Sequence, residues 1–427
     1  MQFNVREFDQ RLAPDPARVV IRPFHIAPEP RDLHPTQTHR AQRIVNAVLA
    51  LSSEECESAL AVVDADFETR HWQTQAVYER RFEQVKAQLE LSDTIDQAHR
   101  ELIGAYFCHE YSYAAAAIMN PSVVPHPDQS GLKRGDTRFV LSLRTVGEGH
   151  ISSIAFREGI LSARNELSLW PQPSFSVAAE ANNPEQQGEV IAHRPDESPI
   201  SGTVLFPFTR AQRNGLEDLR LVRFVEDDGA ATYFGTYTAY SGVSIGSELM
   251  CTDNFSTFRL TPMNGSASGN KGMALFPKRI GGDYAVIGRQ DGESIFYMRS
   301  DDPLAWNGGE KILAPVFPWE LVQMGNCGSP IELDEGWLLL THGVGAMRKY
   351  CLGAALLDKN DPRKVLGRLS TPLISPSNET REGYVPNVLY TCGAMKHGDW
   401  LFLPYGIADS SVAFSLVEIK SILQQMS

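Results

Sequence analysis

From roughly residue 38 to 117 the apolar positions recur at helical spacing. Tyr78, Phe82, Val85 and Leu89 follow one another at four- and three-residue steps, which puts them on one face of a helix. Ser52-Ser53-Glu54-Glu55 predicts a capping box, in which Ser52 accepts from the amide three residues on and Glu55 reaches back. Ser92 or Asp93 is expected to cap another helix, running through Leu102, Tyr106 and the alanines at 114–117 and stopping at Asn120-Pro121. Beyond residue 120 the pattern changes to short β-rich runs: Phe139–Leu143, Tyr233–Tyr237, Tyr284–Ile287 and Trp337–Leu340. Clusters of Gly, Asn, Asp and Pro separate them. Strands at this density, with no helices between them, predict an all-β sandwich, barrel or propeller.

A weak repeat favours the propeller. Thr252-Asp253-Asn254-Phe255-Ser256-Thr257-Phe258 resembles Ser300-Asp301-Asp302-Pro303-Leu304-Ala305-Trp306, and Asp361-Pro362 follows about one unit later. A period of roughly 40–60 residues with several strands per unit is that of propeller blades. The polar, Pro-rich stretch from Glu180 to Ser201 reads as a long loop between strands.

Composition narrows the function. The formal net charge of -13 disfavours a nucleic acid or an anionic membrane as partner. No apolar run is long enough to span a bilayer, and MQFNVREFDQ lacks the features of a signal peptide. These point to a cytoplasmic protein. Six cysteines without a C-x-x-C pair read as reduced, mostly buried thiols. Eleven histidines without a ligand spacing make a metal site improbable, so no metal and no cofactor is expected.

Four segments carry candidate chemistry. In Gly215-Leu216-Glu217-Asp218-Leu219-Arg220, two adjacent acids precede an arginine. Strand neighbours point to opposite faces, so Glu217 and Asp218 should not share one role: one faces a pocket and the other pairs with Arg220 or a backbone group. His342 ends a buried run beside Gly343. Tyr405-Gly406-Ile407-Ala408-Asp409 sets a ring before a carboxylate, a pairing common in sugar sites. Lys271, with Arg289 beyond the next strand, could hold an anion.

Taken in order, the motifs resemble those of glycoside hydrolase family 130, the mannoside phosphorylases and related β-mannosidases. They are Asn120-Pro121, Gly215–Arg220, Tyr237-Thr238-Ala239-Tyr240-Ser241, Ala274-Leu275-Phe276-Pro277, Gly336-Trp337-Leu338 with His342-Gly343, Gly353–Asp358 and Tyr405–Asp409. The resemblance runs from about residue 118 to the C-terminus. It implies a mainly β chain: a five-bladed β-propeller over 118–427, preceded by an N-terminal segment and α-helical extension over 1–117.

It also implies inverting cleavage of a terminal β-mannoside, with Asp218 as general acid acting through a mannose hydroxyl. Asn120, Arg144, Glu217, Arg220, Tyr240, His342 and Asp409 match sugar-site positions, Arg138 being the alternative to Arg144. Lys271, Arg289, Gln323 and Tyr350 match the phosphate side, where Lys271 replaces an arginine and Gln323 a lysine. An inverting hydrolase needs a carboxylate base opposite the acid, for which Glu148 and Glu382 are the candidates; a phosphorylase needs none. The expected reaction is phosphorolysis to mannose 1-phosphate, with inorganic phosphate as co-substrate and an oligosaccharide as partner. A β-mannosidase and a non-catalytic carbohydrate-binding propeller are the alternatives, and a homo-oligomer stays open.

Overall fold

The computed structural model describes residues 3–27, 39–181 and 188–427. The chain divides into two compact units. One comprises residues 17–112 with 174–178; the other comprises 1–16, 113–173 and 179–427.

The smaller unit holds the helices Arg40–Leu49, Ser53–Phe67, Thr74–Leu89 and Gln97–Tyr106. The capping box forms as predicted: Ser52 Oγ accepts from the Glu55 amide at 3.2 Å, and Glu55 Oε2 accepts from the Ser52 amide at 2.7 Å. Tyr78, Phe82 and Val85 are buried, and Phe82 and Val85 pack with Val45, Cys56, Leu60 and Ile103. Gly104 allows the last two helices to touch, since a Cβ there would lie 1.9 Å from the Tyr78 carbonyl oxygen. Two expectations are corrected. The cap of the last helix is Asp96, not Ser92 or Asp93. That helix ends at Tyr106; Cys108–Ser112 is a strand paired with Val19–Pro23. Ala117, expected in the helix, pairs with Val146 in the larger unit. Strand pairing there overrides the helical preference of an alanine run.

The larger unit is mainly β. Most of its strands fall into five antiparallel groups of four, the first two of which share one twelve-stranded sheet and meet where Gly215 pairs parallel with Ser152. The first is Ala117–Pro125, Thr137–Val146, Ser152–Leu161 and Leu167–Leu169. The second is Gly215–Val225, Ala231–Tyr240, Ile245–Thr252 and Thr257–Pro262. The third is Ala274–Leu275, Tyr284–Gly288, Ile295–Ser300 and Glu310–Leu313. The fourth is Gln323–Asn326, Trp337–Val344, Tyr350–Leu357 and Val365–Arg368. The fifth is Leu389–Tyr390, Trp400–Ile407, Ser411–Glu418 and, from the start of the chain, Val5–Leu12. The first sixteen residues therefore belong with the β unit, and the division differs from one at 117/118.

Hydrogen bonds join each group to the next. The Leu221 amide donates to Ser122 Oγ at 3.0 Å, and Thr236 Oγ1 donates to the Met273 carbonyl. The Met324 amide reaches the Glu293 carbonyl at 2.9 Å and the Tyr350 amide the Asn387 carbonyl at 2.9 Å. The fifth group returns to the first through Cys392 N to Pro121 O at 2.7 Å. The sequence repeat has a structural counterpart: Thr252, Ser300 and Asp358–Pro362 all lie where a third strand turns into a fourth. Phe255 and Trp306, at two of those turns, are wholly buried. The stretch 180–201 is not one long loop. Val190–His193 pairs with Thr257–Pro262, while residues 182–187 lie outside the described residues.

Among the described residues no helix is long and apolar enough to cross a membrane. The six cysteines are free thiols, four of them buried.

Candidate active site

The site residues come from equivalent places in successive groups. First strands carry Asn120, then Glu217, Asp218 and Arg220, then Gln323, then Tyr390; Lys271 stands just before the first strand of the third group. Second strands carry Arg144, Tyr240 and His342, or lead directly to Arg289 and Asp409.

Two irregularities build the centre. The register of Ala117–Pro125 shifts between Met119 and Ser122, and that of Gly215–Val225 between Glu217 and Arg220. At each bulge one residue takes a left-handed conformation, Asn120 at φ 50° and Asp218 at φ 57°. Asn and Asp are the non-glycine residues that tolerate this region best. Pro121, which has no amide to leave unpaired, follows Asn120. The bulges bring the two side chains together: Asn120 Nδ2 donates to Asp218 Oδ1 at 2.6 Å.

Arg144 is the clamp. Its Nη1 donates to Asp218 Oδ1 at 3.0 Å, its Nη2 to Glu217 Oε1 at 2.7 Å and its Nε to Ser152 Oγ at 3.0 Å. One guanidinium thus holds both acids, contrary to the expectation from strand alternation, because the bulge breaks that alternation at Asp218. The expected pairing of one carboxylate with Arg220 or a backbone group is also corrected: Arg144 and Lys271 hold Glu217, while Arg220 donates to the Asp218 carbonyl at 3.0 Å and to the Tyr390 hydroxyl at 2.8 Å. Arg138, the alternative to Arg144, instead pairs with Asp128 at 2.8 Å on an exposed turn.

Burial pushes the Asp218 carboxyl upward, but Arg144, Arg220 and Lys271 outweigh it and hold the pKa at about 2. Asp409 moves the other way, to about 6, through burial and the nearby Asp218 charge, with Arg144 and Arg348 pulling it back. The two carboxyls are therefore split by their surroundings, Asp218 giving up its proton at a far lower pH than Asp409.

Arg289 Nη1 lies 3.5 Å from His342 Nε2. Burial, then Arg289 and Arg220, keeps the imidazole well below its usual pKa and so neutral. Tyr350 stacks on it, with centroids 6.0 Å apart at 14°. Arg289 has no ion pair among the described residues.

Three phosphate-side or sugar-side expectations fare differently. Lys271 Nζ is bonded to Glu217 Oε2 at 2.9 Å, which ties it to the acid cluster. Gln323 faces Val344 across its strand pair, and no hydrogen bond joins it to Lys271 or Arg289 among the described residues. Tyr240 bonds the Gly242 carbonyl of its own turn at 3.3 Å and is not drawn into the cluster.

Sequence reasoning missed Tyr390, Ser152 and Arg348. It also missed Asn326, an amide 1% exposed with neither polar atom partnered. None of them stands in a motif; strand pairing brings in Ser152, Asn326 and Tyr390, and the turn Ala346–Arg348 brings in Arg348. No described group of three or more His, Cys, Asp or Glu could hold a metal ion.

The site thus joins a carboxylate pair under one arginine to a neutral histidine beside a cation that has no ion pair among the described residues. The family model for glycoside hydrolase family 130, described as beta-1,4-mannooligosaccharide phosphorylase, matches residues 200–427, and the chain belongs to that family. It is 34% identical over 239 residues to a beta-1,2-mannobiose phosphorylase of Listeria innocua, a match covering 54% of this chain and 64% of that enzyme. It is 33% identical to a 1,2-beta-oligomannan phosphorylase of Thermoanaerobacter sp., covering 50% of this chain and 72% of the relative. The solved structure of the Listeria innocua beta-1,2-mannobiose phosphorylase with beta-1,2-mannobiose superimposes with a TM-score of 0.51 at 25% identity, over 73% of this chain and 92% of that one.

Proposed function

We propose that this chain is an inverting β-mannoside phosphorylase, acting on the terminal unit of a β-1,2-linked oligomannoside and releasing mannose 1-phosphate. The observation that carries the reading is the division of charge in the site. Asp218 sits under Asn120 and Arg144, while Arg289 and neutral His342 form a cationic side to which no carboxylate is hydrogen-bonded among the described residues. A phosphate needs cations there; a hydrolase needs a carboxylate base. Glu148 and Glu382, the two candidates for such a base, are exposed loop residues. The relatives from Listeria innocua and Thermoanaerobacter sp. are phosphorylases, which supports the same choice. The five strand groups are proposed to be the blades of a propeller, on the strength of the hydrogen bonds that run from each group to the next and back to the first.

In the proposed reaction a phosphate oxygen attacks C1 of the terminal mannose, the C1–O bond to the next sugar breaks, and the departing oxygen takes a proton. Asp218 is the proposed acid, acting through a mannose hydroxyl. In the free site it is an anion. Phosphate settling against Arg289 brings negative charge into the site, raising the proton affinity of Asp218 once the nucleophile is bound. Asn120, Arg144 and Asp409 would hold the mannose, with Glu217 and Arg220 fixing the two bulged strands. Tyr350 would bound the phosphate side.

The test is incubation with β-1,2-mannobiose with and without phosphate. Phosphate-dependent mannose 1-phosphate is the expected product. Free mannose at a rate independent of phosphate would indicate the β-mannosidase, and binding without either product would indicate the non-catalytic propeller.

A further inference from the structure

Tyr384 has a side chain in an unusual position. It is 48% exposed, yet its hydroxyl shares a hydrogen bond of 2.9 Å with His150 Nδ1, and the two rings lie 6.1 Å apart at 36°. An exposed aromatic ring held this way loses little further freedom when something stacks on it.

Both partners are fixed from below. His150 stands in the turn between Thr137–Val146, which carries Arg144, and Ser152–Leu161. It follows Gly149 at φ 67° with its own φ at 58°, and the turn is closed by His150 N to Gly147 O at 3.2 Å. Tyr384 stands on the segment leading to Leu389–Tyr390. Gly383 beside it packs so closely on the Ala408–Ser410 turn that a Cβ would lie 2.7 Å from Ala408 Cβ, and the Val385 amide donates to the Ala408 carbonyl at 2.9 Å. That turn presents Asp409. The pair therefore spans the junction of the fifth and first strand groups, registered to Arg144 on one side and Asp409 on the other. The third group, with Arg289, is the farthest from that junction in ring order.

We infer that the His150–Tyr384 pair is the platform for the departing sugar, a pyranose acceptor such as the next mannosyl unit. This rests on the phosphorylase reading. Inversion places nucleophile and leaving group on opposite sides of C1. With phosphate on the Arg289 side, the leaving sugar exits toward the junction that Tyr384 overhangs. The phenol ring offers an apolar face to sugar C–H groups, and the hydrogen bond to His150 sets its tilt.

The experiment uses the full chain in the synthetic direction, with mannose 1-phosphate and either mannose or β-1,2-mannobiose as acceptor. Tyr384→Ala should raise the acceptor KM roughly tenfold while leaving the KM for mannose 1-phosphate within about twofold. Tyr384→Phe, which keeps the ring but loses the hydrogen bond to His150, should fall between Tyr384→Ala and wild type. An unchanged acceptor KM in Tyr384→Ala, or a parallel rise in both KM values, overturns the platform. A wild-type enzyme without phosphorolysis would overturn the reading it rests on. The platform would then be read by calorimetry: Tyr384→Ala must weaken β-1,2-mannobiose more than mannose, and equal or no weakening rejects it.

Discussion

Asn120 and Asp218 are 98 residues apart in sequence and 2.6 Å apart in space, each in a left-handed conformation at a bulge of its own strand. Neither bulge alone would aim a side chain at the other. The Leu221 amide bonded to Ser122 Oγ at 3.0 Å joins the two strands immediately beyond the bulges and fixes their relative register.

Asp218→Asn should keep the fold and lower turnover by roughly 10²–10⁴-fold, the range for a general acid. Thermal melting confirms the fold and initial rates measure the loss. Retention of more than about a tenth of the wild-type rate removes Asp218 from the role.

Arg289→Gln should raise the phosphate KM and spare the affinity for mannobiose. A charged hydrogen bond contributes about 1.5–3 kcal/mol, so the expected change is roughly ten- to a hundredfold. Gln323→Lys adds a cation at the start of a strand in the adjacent group and should lower the phosphate KM. Rate against phosphate concentration reads both variants.

Asp409 gives a pH signature in stability. Its pKa rises from 3.8 to about 6 on folding, so the folded state holds the proton more tightly. Stability from this group is complete below pH 4 and is lost as pH rises through 6. Asp409→Asn, which stays neutral, should match wild type near pH 3.5 and become the more stable by on the order of 2 kcal/mol above pH 6.5, while losing activity. Melting temperature across that range is the check; a gap that does not grow with pH refutes it. Asp218 runs in reverse, since its lowered pKa contributes stability above pH 4 that fades toward pH 2.

Ser122→Ala tests positioning. Ser122 is wholly buried, and its loss leaves the Leu221 amide without its acceptor, a cost of about 1–3 kcal/mol. Stability and kcat should fall together while the phosphate KM holds. Ser122→Thr, which keeps the hydroxyl, should recover much of kcat if the oxygen is what matters.

Much of this was legible in the chain. The capping box at Ser52, the apolar face through Phe82 and the strands around Tyr233 and Trp337 are local patterns, and local patterns survive into the fold. The alanines before residue 118 misled because a strand partner, Val146, outweighs their helical preference. Glu217 and Asp218 misled because alternation holds only where the ladder is regular. The family motifs name Asn120 and Asp218, and the structure joins both side chains by hydrogen bonds, with Arg144 added to Asp218. The motifs said nothing of Lys271 spending its charge on Glu217, or of Tyr390 receiving Arg220, since both depend on side-chain reach between groups.

The strand Val5–Leu12 finds its partner only in Ser411–Glu418. On a ribosome the first of these segments emerges long before the second, separated by tens of seconds of elongation. Val5–Leu12 must wait for that partner while four groups and the helical unit take shape. Its sequence suits the wait: VREFDQRL alternates charge with only Phe8 and Leu12 buried, so the idle strand is soluble and a poor template for aggregation. The last group is then completed by a segment of high sequence separation, so its pairing should be a late and slow step of folding. A chain halted before residue 411 would retain most of its sheets and still lack the partner that holds its own beginning.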